Sequence, residues 1–410
     1  MIFSRVQFLM GRSVAAALLI VSMVACQDAE KTEQVKQQRI AEEERQQIEV
    51  PAYFTADSAT KLGNHLDSIF TQLHKRSGFN GTVLVTKYDQ VLYKGAFGYS
   101  DFSRKDTLTT QTAFQLASVS KQFTAMAIMM LKEKGKLAYD DSVQQHLPDF
   151  PYHGITIRQL LTHRSGLGNY TYFSDELWPD RNKPITNQDV LQLMSTYQPP
   201  VYFHPDSHFN YSNTGYMVLA SIVAKASGMP YATFLQKRIF GPLKMKNTFT
   251  YSKNVATLTG KVATGHTGGR RKRSPDYLDT VLGDKGIYST VEDLYKWDQA
   301  LYTGKLVKQE TLEEAFIGSR KKKRDEDYGF GWRIKTVTSG DTIVYHGGLW
   351  HGYATYLLRN PKDHSALIVL SNVPNGSFRH LKEIQKFLYP EQPKMVANFR
   401  KQSKAAGNQL

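Results

Sequence analysis

The pairing Ser118-x-x-Lys121 could perform nucleophilic chemistry, because it places a hydroxyl and an amine three residues apart. Residues at i and i+3 of a helix share a face, so the amine would lie beside the hydroxyl oxygen. Burial lowers the pKa of a lysine, which could then accept the serine proton near neutral pH. A serine at a helix start also meets the positive end of the helix dipole, which favours an oxyanion. These features predict an acylating nucleophile at Ser118.

The bare Ser-x-x-Lys pattern is weak evidence, because it occurs three times, starting at Ser58, Ser118 and Ser319. Ser58 lies at the start of a surface helix and Ser319 lies in a basic loop, so both would be open to water. Ser118 instead begins a helix whose apolar residues form one stripe, namely Phe123, Met126, Ala127, Met130 and Leu131. On spacing alone, a helix-capping Ser118 beside a solvated Lys121 stays an open alternative.

Two further motifs strengthen the case for Ser118. The segment 115–124, Gln-Leu-Ala-Ser-Val-Ser-Lys-Gln-Phe-Thr, closely resembles the active-site segment of the serine β-lactamase-like family. This family includes class C β-lactamases, D-alanyl-D-alanine carboxypeptidases, D-aminopeptidases and esterases. Tyr211-Ser-Asn213 matches its Tyr-x-Asn motif, and His346-Gly-Gly348 matches its third element, Lys-Thr-Gly in the lactamases and His-x-Gly in many relatives. The resemblance runs from about residue 62 to residue 388.

The resemblance implies a role for each residue of the second motif. Tyr211 would take the proton of Ser118 and later activate the deacylating water, sharing one proton with Lys121. The positive charge of Lys121 is expected to lower the pKa of the Tyr211 phenol, which is otherwise about 10. Asn213 would bind a substrate amide or orient Lys121.

The third motif would complete the site. By the family pattern, the backbone N–H groups of Ser118 and Leu349 form the oxyanion hole, with Gly347 and Gly348 beside them on the substrate strand. His346 stands where penicillin-recognising enzymes use lysine to meet a substrate carboxylate, and it is expected to be only partly charged near pH 7. Weaker selection for a C-terminal carboxylate is therefore expected, which favours an esterase, or a peptidase for D-amino-acid-containing or small acyl substrates.

Other histidines and aromatic residues compete for a role. A second His-x-Gly, at His266, precedes a basic run and is disfavoured against the motif that follows a β-branched strand. His163 could suggest a Ser-His-Asp triad, but the resemblance assigns it to turn packing. Trp350, His351 and Tyr353 could line an acyl pocket, or they could fill the hydrophobic core. No His-Glu-x-x-His pattern or other metal-ligand spacing occurs, so neither a metal nor another cofactor is expected.

The elements that position these residues can be predicted from periodicity. A helix is predicted at 59–73, followed by a strand hairpin at 81–88 and 90–98. Helices are then predicted at 125–134, 188–196 and 215–227. Four strands follow at 331–338, 342–346, 353–358 and 366–371, and the last predicted helix is at 378–388. The predicted fold is α/β plus α and β-lactamase/transpeptidase-like. An antiparallel sheet is built from both ends of the chain and flanked by helices, with a mostly helical insertion at about 116–282.

The N-terminus predicts export and a lipid anchor. Arg5 and Arg12 precede an apolar run and then Cys26, the only cysteine, in the order of a signal peptide. The stretch 22–26 resembles a bacterial lipobox, so we expect a signal peptide at 1–25, a lipidated tether at 26–53, a catalytic domain at 54–390 and a polar tail at 391–410. A membrane-spanning anchor, or an unmodified Cys26, is the alternative. The protein would then lie in the bacterial cell envelope.

The composition and net charge of the chain indicate which binding partners are expected. Apolar residues form 41% of the chain, as in globular proteins. The net charge of +15 is concentrated partly in two basic runs, 270–273 and 320–324, which suggest solvated loops or contact with anionic lipid or wall polymer. Nucleic acid is not expected, because neither run carries interleaved aromatic residues. The prediction is an exported serine hydrolase with a small-molecule or peptide substrate; the alternative is a penicillin-binding or sensory module with little or no turnover.

Overall fold

The computed structural model describes residues 48–252, 260–319, 326–337 and 340–388. The predicted signal peptide, Cys26, most of the tether, the basic run 320–324 and the polar tail lie outside the described residues. In the described ranges, no single helix is long and apolar enough to cross a membrane; one bent pair, Asn213–Ser227 with Tyr231–Phe240, passes by length and composition.

The described part of the chain contains twelve strands. They are β1 (Gly81–Lys87), β2 (Gln90–Phe97), β3 (Tyr99–Asp101), β4 (Asp106–Thr107), β5 (Phe114–Gln115), β6 (Phe249–Thr250), β7 (Ile287–Ser289), β8 (Glu326–Tyr328), β9 (Arg333–Thr336), β10 (Thr342–Trp350), β11 (Tyr353–Asn360) and β12 (Ser365–Ser371). Seven of them form one antiparallel sheet in the order β2-β1-β12-β11-β10-β9-β8. Two small sheets, β3-β4 and β5-β7-β6, lie outside it.

The described ranges also contain eleven α-helices. They are α1 (Ala56–Ser77), α2 (Lys121–Glu133), α3 (Val143–His146), α4 (Ile157–Leu161), α5 (Tyr170–Leu177), α6 (Asn187–Tyr197), α7 (Asn213–Ser227), α8 (Tyr231–Leu235), α9 (Val291–Ala300), α10 (Gln309–Glu314) and α11 (Leu381–Leu388). Tighter 3-10 turns occupy Ala117–Ser120, Tyr277–Thr280 and Ser377–His380, and a π-helical turn occupies Gln236–Phe240.

The centre of the sheet joins the two ends of the chain. Every residue of β12 is buried, as is all of β1 except Lys87, and Val83 of β1 lies opposite Val369 of β12. A strand covered on both faces is mostly apolar, and the buried polar residues here are Thr82 and Thr86 of β1 and the two end serines of β12. The prediction of an antiparallel sheet built from both ends of the chain is confirmed.

Alternate residues of the central strands serve two cores. Val83 and Val369 pack with α1 and α11 on one face of the sheet, through residues such as Phe70 and Ile384. Leu84 and its neighbours on the other face belong to the larger core, which contains the helical insertion. Helix α2 lies inside this larger core, so the segment that carries Ser118 is held by packing on several sides.

Two predicted boundaries need correction. Strand β10 continues to Trp350, so His346 lies inside a strand that was predicted to end there; Gly347 and Gly348 continue the pairing with β11. The backbone carries this pairing, so the glycines extend the strand despite their low strand propensity. The helix predicted to begin with Ser118 starts as a 3-10 turn, and α-helical geometry begins at Lys121.

Candidate active site

Ser118 is held at the mouth of a cleft by a sharp turn. β5 pairs with β7, the Leu116 N–H donates to the Ile287 carbonyl at 2.7 Å, and the chain then enters the 3-10 turn. Ala117 has φ of +48°, a left-handed conformation that is rare for a residue with a Cβ atom. Such strain is typical of functional turns and persists only because the surroundings enforce it. The turn leaves the Ser118 side chain partly exposed at the cleft.

Lys121 is fully buried, and its amine lies 3.2 Å from the Ser118 Oγ. Its N–H groups donate to the Asn213 Oδ1 at 2.8 Å and to the Asp284 carbonyl at 2.9 Å. Burial lowers the pKa of Lys121 to about 7; the Arg333 charge also lowers it, and the Asp284 charge opposes the shift. With two N–H groups committed to acceptors, the lone pair of the neutral amine can receive the Ser118 proton. The expected lowering of this pKa is confirmed.

A buried ion pair supports the carbonyl that holds Lys121. The Lys285 ammonium donates to the Tyr170 hydroxyl at 2.7 Å and to the Val281 carbonyl at 3.1 Å. The Tyr170 hydroxyl in turn donates to the Asp284 Oδ2 at 3.1 Å. The side chains of Asp284 and Lys285 are only 2% and 3% exposed, so they compensate each other's charge inside the protein. This network fixes the backbone beside the candidate base.

Tyr211 lies alongside Lys121, but the pKa of its phenol is raised, whereas the prediction was that it would be lowered. The Lys121 amine is 4.9 Å from the centre of the Tyr211 ring. Burial raises the pKa of Tyr211, although Ser118 and the Arg333 charge each lower it in part. The prediction failed because burial of the phenol itself disfavours the charged phenolate, and this effect exceeds the lowering by its neighbours. The Tyr211 hydroxyl is shielded from solvent.

His163 positions the second motif and makes no hydrogen bond to Ser118 among the described contacts. Its ring lies 4.2 Å from the Tyr211 ring, centre to centre, and its Nδ1 accepts the Ser212 N–H at 3.2 Å. Burial lowers the pKa of His163 well below its usual value, so the ring is neutral. This placement agrees with the turn-packing role expected for it. Asn213, which follows Ser212, begins α7 and orients Lys121, one of its two expected roles.

His346 is neutral, which corrects the expectation of a partly charged ring. It is 1% exposed, its Nδ1 donates to the Gly347 carbonyl at 2.7 Å, and its Nε2 accepts from the Tyr328 hydroxyl at 3.0 Å. Burial lowers the pKa of His346 to about 3, and the charges of Lys121 and Arg333 add to the shift. Both ring nitrogens are therefore engaged within the protein, and the ring forms a wall of the cleft and contributes no positive charge.

β10 passes close to the nucleophile because Gly348 has no side chain. A Cβ atom there would lie 2.3 Å from the Thr355 Oγ1 and 2.4 Å from the Leu116 carbonyl oxygen, two residues before Ser118. β9 pairs with β10 only as far as Tyr345, so β9 leaves the facing edge of β10 open beyond that point. Leu349 lines the cleft with its side chain 68% exposed. The role of its backbone N–H in an oxyanion hole stays a prediction.

We expect Gly348→Ala to lower kcat/KM for an ester substrate roughly 10²-fold, because displacing β10 by about 1 Å misplaces the groups that face Ser118. Gly347→Ala is the matched control, since a Cβ atom there would meet its neighbours at 3.8 Å, an ordinary contact distance. Steady-state kinetics of both variants, with melting temperatures to monitor folding, checks this expectation. Equal losses in the two variants would contradict it.

Arg333 is a cleft residue that the sequence analysis missed. It lies on β9 opposite Tyr345, and its guanidinium is 5.6 Å from the centre of the Tyr211 ring. Its charge lowers the pKa of Lys121, Tyr211 and His346. The sequence could have indicated Arg333 only through strand pairing. The strand predicted at 331–338 contains Arg333 and pairs with the strand that contains His346.

The predicted residues converge on one cleft of about 640 Å³. The ones that line it are Ser118, Tyr211, Asn213, His346, Gly347, Gly348 and Leu349. Beyond the two glycines, the cleft continues over Tyr356 of β11 to the loop at 373–378. Lys121 lies beneath the surface of the cleft, in contact with Ser118.

The competing sequence features lie elsewhere. Ser58 caps the exposed start of α1, and His266 is absent from the cleft lining. Trp350 donates its indole N–H to Asp279, and neither it nor its neighbours His351 and Tyr353 line the catalytic cleft. Over the described ranges, no group of three or more His, Cys, Asp or Glu side chains could hold a metal ion.

Comparison with known proteins gives consistent matches. The sequence model of the beta-lactamase family matches residues 66–388. A penicillin-binding protein of Bacillus subtilis (strain 168) is 39% identical over 322 residues, 75% of this chain and 71% of that protein. The structure of a penicillin-binding protein from Bacillus halodurans is similar with a TM-score of 0.70 at 25% identity, over 77% of this chain and 98% of that one. EstCE1, a hydrolase with promiscuous acyltransferase activity, shares the fold with a TM-score of 0.70 at 21% identity, over 82% of this chain and 100% of its own.

Proposed function

This chain belongs to the beta-lactamase family, whose members include penicillin-binding-protein-like serine hydrolases, and we propose that it is an exported, lipid-anchored serine hydrolase that works through an acyl-enzyme on Ser118. One observation carries the proposal: the Lys121 amine is 3.2 Å from the Ser118 Oγ, and burial lowers the pKa of Lys121 to about 7. A base with a pKa near the working pH is the one best matched to proton transfer.

In the proposed mechanism, the neutral Lys121 amine takes the Ser118 proton while the serine oxygen attacks the substrate carbonyl. Tyr211 keeps its proton, because burial raises the pKa of its phenol. It can therefore protonate the leaving group and recover a proton from the Lys121 ammonium. In the second half, a water attacks the acyl-enzyme, gives its proton to this pair, and Ser118 regains its hydroxyl hydrogen.

The negative charge of the tetrahedral intermediate falls on the former carbonyl oxygen. We propose that the backbone N–H groups of Ser118 and Leu349 receive it, as expected from the family pattern. The close approach of β10 at Gly348 supports this placement. Loss of one such donor typically costs roughly 10²–10³ in rate.

Arg333 narrows the substrate class. His346 is neutral, so among the described cleft-lining residues Arg333 alone carries a positive charge at neutral pH. A guanidinium is well suited to bind a carboxylate through paired hydrogen bonds. The expected loss of carboxylate selection at His346 is therefore offset by Arg333. We propose small acyl esters, D-amino-acid peptides or cell-wall-derived compounds as substrates, with preference for those that carry a carboxylate near the scissile bond.

We expect Arg333→Met to lower kcat/KM about 10²-fold for a D-alanyl depsipeptide with a free carboxylate, because one charge-assisted contact is lost. The methyl ester of the same depsipeptide should lose less than fivefold. Rates are best compared at pH 9, since the Arg333 charge lowers the pKa of Lys121 and its removal moves the acid limb of the profile upward. Equal losses for acid and ester would contradict a carboxylate-binding role.

The anchor is proposed from Cys26 and the preceding signal-like segment. The protein would then be held at the bacterial cell envelope, with residues 26–53 as tether, residues 54–390 as the catalytic domain and the tail at 391–410. Expression of the wild-type chain and a Cys26→Ser variant in a bacterial host tests this proposal. Recovery of both in the same membrane fraction, after a high-salt wash, would argue against lipidation.

A panel of ester, peptide, amide and β-lactam substrates separates the enzyme from the sensory alternative. The purified protein is mixed with short-chain p-nitrophenyl esters, D-alanyl-D-alanine peptides, D-amino-acid amides and nitrocefin. Sustained turnover of at least one of them supports the hydrolase. Release of one equivalent of product, with no further turnover, would instead support a penicillin-binding or sensory module.

A further inference from the structure

A second cavity, of about 320 Å³, shares no lining residue with the catalytic cleft. Its walls come from Gln115 of β5, Tyr288 of β7, Tyr251 just after β6, and His351 and Tyr353 at the turn between β10 and β11. The volume lies near the lower end of the range for ligand pockets, about 300–1,000 Å³. It therefore suits one sugar-sized unit.

Two hydrogen-bonding atoms of the cavity walls lack partners among the described groups. The Gln115 side chain is 1% exposed, and its Nε2 donates to the Tyr288 hydroxyl at 3.1 Å, while its Oε1 accepts nothing. The His351 Nε2 lies 3.3 Å from the Asp276 carboxylate, and its Nδ1 has no partner. Buried carbonyl oxygens are normally paired, so the Gln115 Oε1 is a place for a ligand hydroxyl or amide N–H.

Aromatic rings supply the apolar part of the cavity. Tyr251, Tyr288 and Tyr353 all line it, and the Tyr353 hydroxyl is already used in a hydrogen bond to the Ala263 carbonyl at 2.7 Å. An aromatic ring presents a flat apolar face with its polar atom at one edge. Such faces pack well against the C–H face of a sugar ring, whose hydroxyls then point to the surrounding polar atoms.

The charged residues that line the cavity are Arg104, Lys272, Arg273 and Asp279, whose carboxylate accepts the Trp350 indole N–H. Arg104 lies there but is already paired with Asp101 and Asp106, at 2.8 and 2.7 Å. Lys272 and Arg273 are exposed and form no ion pair with any acid in the described ranges. Neighbouring ammonium and guanidinium groups at the mouth of a pocket favour a carboxylate or phosphate.

We propose that this cavity binds one acidic sugar residue. Its ring packs against the tyrosines, a hydroxyl or amide N–H donates to the Gln115 Oε1, and its carboxylate or phosphate contacts Lys272 and Arg273. The cavity thus gives Lys272 and Arg273, the last two residues of the basic run at 270–273, a defined ligand, separate from the substrate of Ser118.

Isothermal titration calorimetry of the purified protein with D-glucuronic acid, D-glucose 6-phosphate and D-glucose tests the proposal. We expect at least one of the two acids to bind, with glucose at least tenfold weaker; comparison of the acids tells carboxylate from phosphate. The double variant Lys272→Ala/Arg273→Ala should bind the acid at least tenfold more weakly and hydrolyse esters normally. The matched control, Lys237→Ala/Arg238→Ala, removes the same charge from another exposed segment and should bind normally.

Five outcomes would overturn the proposal. If glucose bound as tightly as the acids, charge would have no part in binding. Normal binding by the Lys272/Arg273 double variant would lead to the same conclusion. An equal loss in the control variant would indicate attraction by net charge alone. Competitive inhibition of ester hydrolysis by the acid would place it in the catalytic cleft. Absence of binding by both acids would also reject the site.

Discussion

Ser118→Ala is expected to abolish turnover of p-nitrophenyl esters, with kcat/KM reduced on the order of 10⁴-fold or more, because the attacking oxygen is lost. The side chain is small and partly exposed at the cleft, so its removal leaves the packing of the turn intact. The melting temperature should therefore stay within a few degrees of the wild type. Initial rates over a range of ester concentrations measure the effect.

Ser120→Ala is the matched control for the nucleophile. Ser120 lies in the same turn, is fully buried, and accepts the Ile287 N–H through its Oγ at 3.2 Å. Its loss should lower stability by about 1 kcal/mol and leave kcat within a few fold, since the hydroxyl faces the core. Residual activity of Ser118→Ala above a tenth of the wild type would exclude Ser118 as the nucleophile.

Removal of the base is expected to have the second-largest effect. Lys121→Arg should lower kcat/KM roughly 10²–10⁴-fold, because a guanidinium stays protonated at every working pH. In the wild type, burial lowers the pKa of Lys121 to about 7, so the reactive neutral amine is lost as the pH falls below that value. We therefore expect kcat/KM to fall tenfold per pH unit below about pH 7 and to be level above it.

The shape of the pH profile is the decisive readout. The acid limb near pH 7 should be absent from Lys121→Arg. Lys285→Met removes a second buried lysine, which donates to the Tyr170 hydroxyl and the Val281 carbonyl. Its profile should keep the limb even if the rate falls. If the acid limb of the kcat/KM profile were still present in Lys121→Arg, a group other than Lys121 would be responsible for it.

Sequence periodicity predicted the fold well because the sheet is made of elements with simple patterns. The hairpin of β1 and β2 and the long helix α7 have boundaries within a few residues of those predicted. β10 was predicted too short, since Gly347 and Gly348 carry no strand signal of their own. Their place in the strand depends on pairing with β11, a contact between distant parts of the chain that local pattern cannot reveal.

The site was predictable in its residues but less so in their charges. Spacing and motif order brought Ser118, Lys121 and Tyr211 together correctly. The pKa of Tyr211 was predicted in the wrong direction, and the charge of His346 was overestimated, because both depend on burial by residues far along the chain. Arg333 was not predicted because its position in the cleft depends on the register of β9 with β10, which local sequence does not specify.

Trapping of the acyl-enzyme tests the central proposal most directly. The wild-type protein is mixed with p-nitrophenyl acetate, quenched in acid during turnover, and digested with trypsin for mass spectrometry. One peptide, which follows Lys105 and ends at Lys121, contains both Ser118 and Ser120, so fragmentation must distinguish them. We predict one acetyl group on Ser118, absent from Ser118→Ala. An acetyl group on any other residue, or turnover with no covalent adduct at early quench times, would contradict the proposed mechanism.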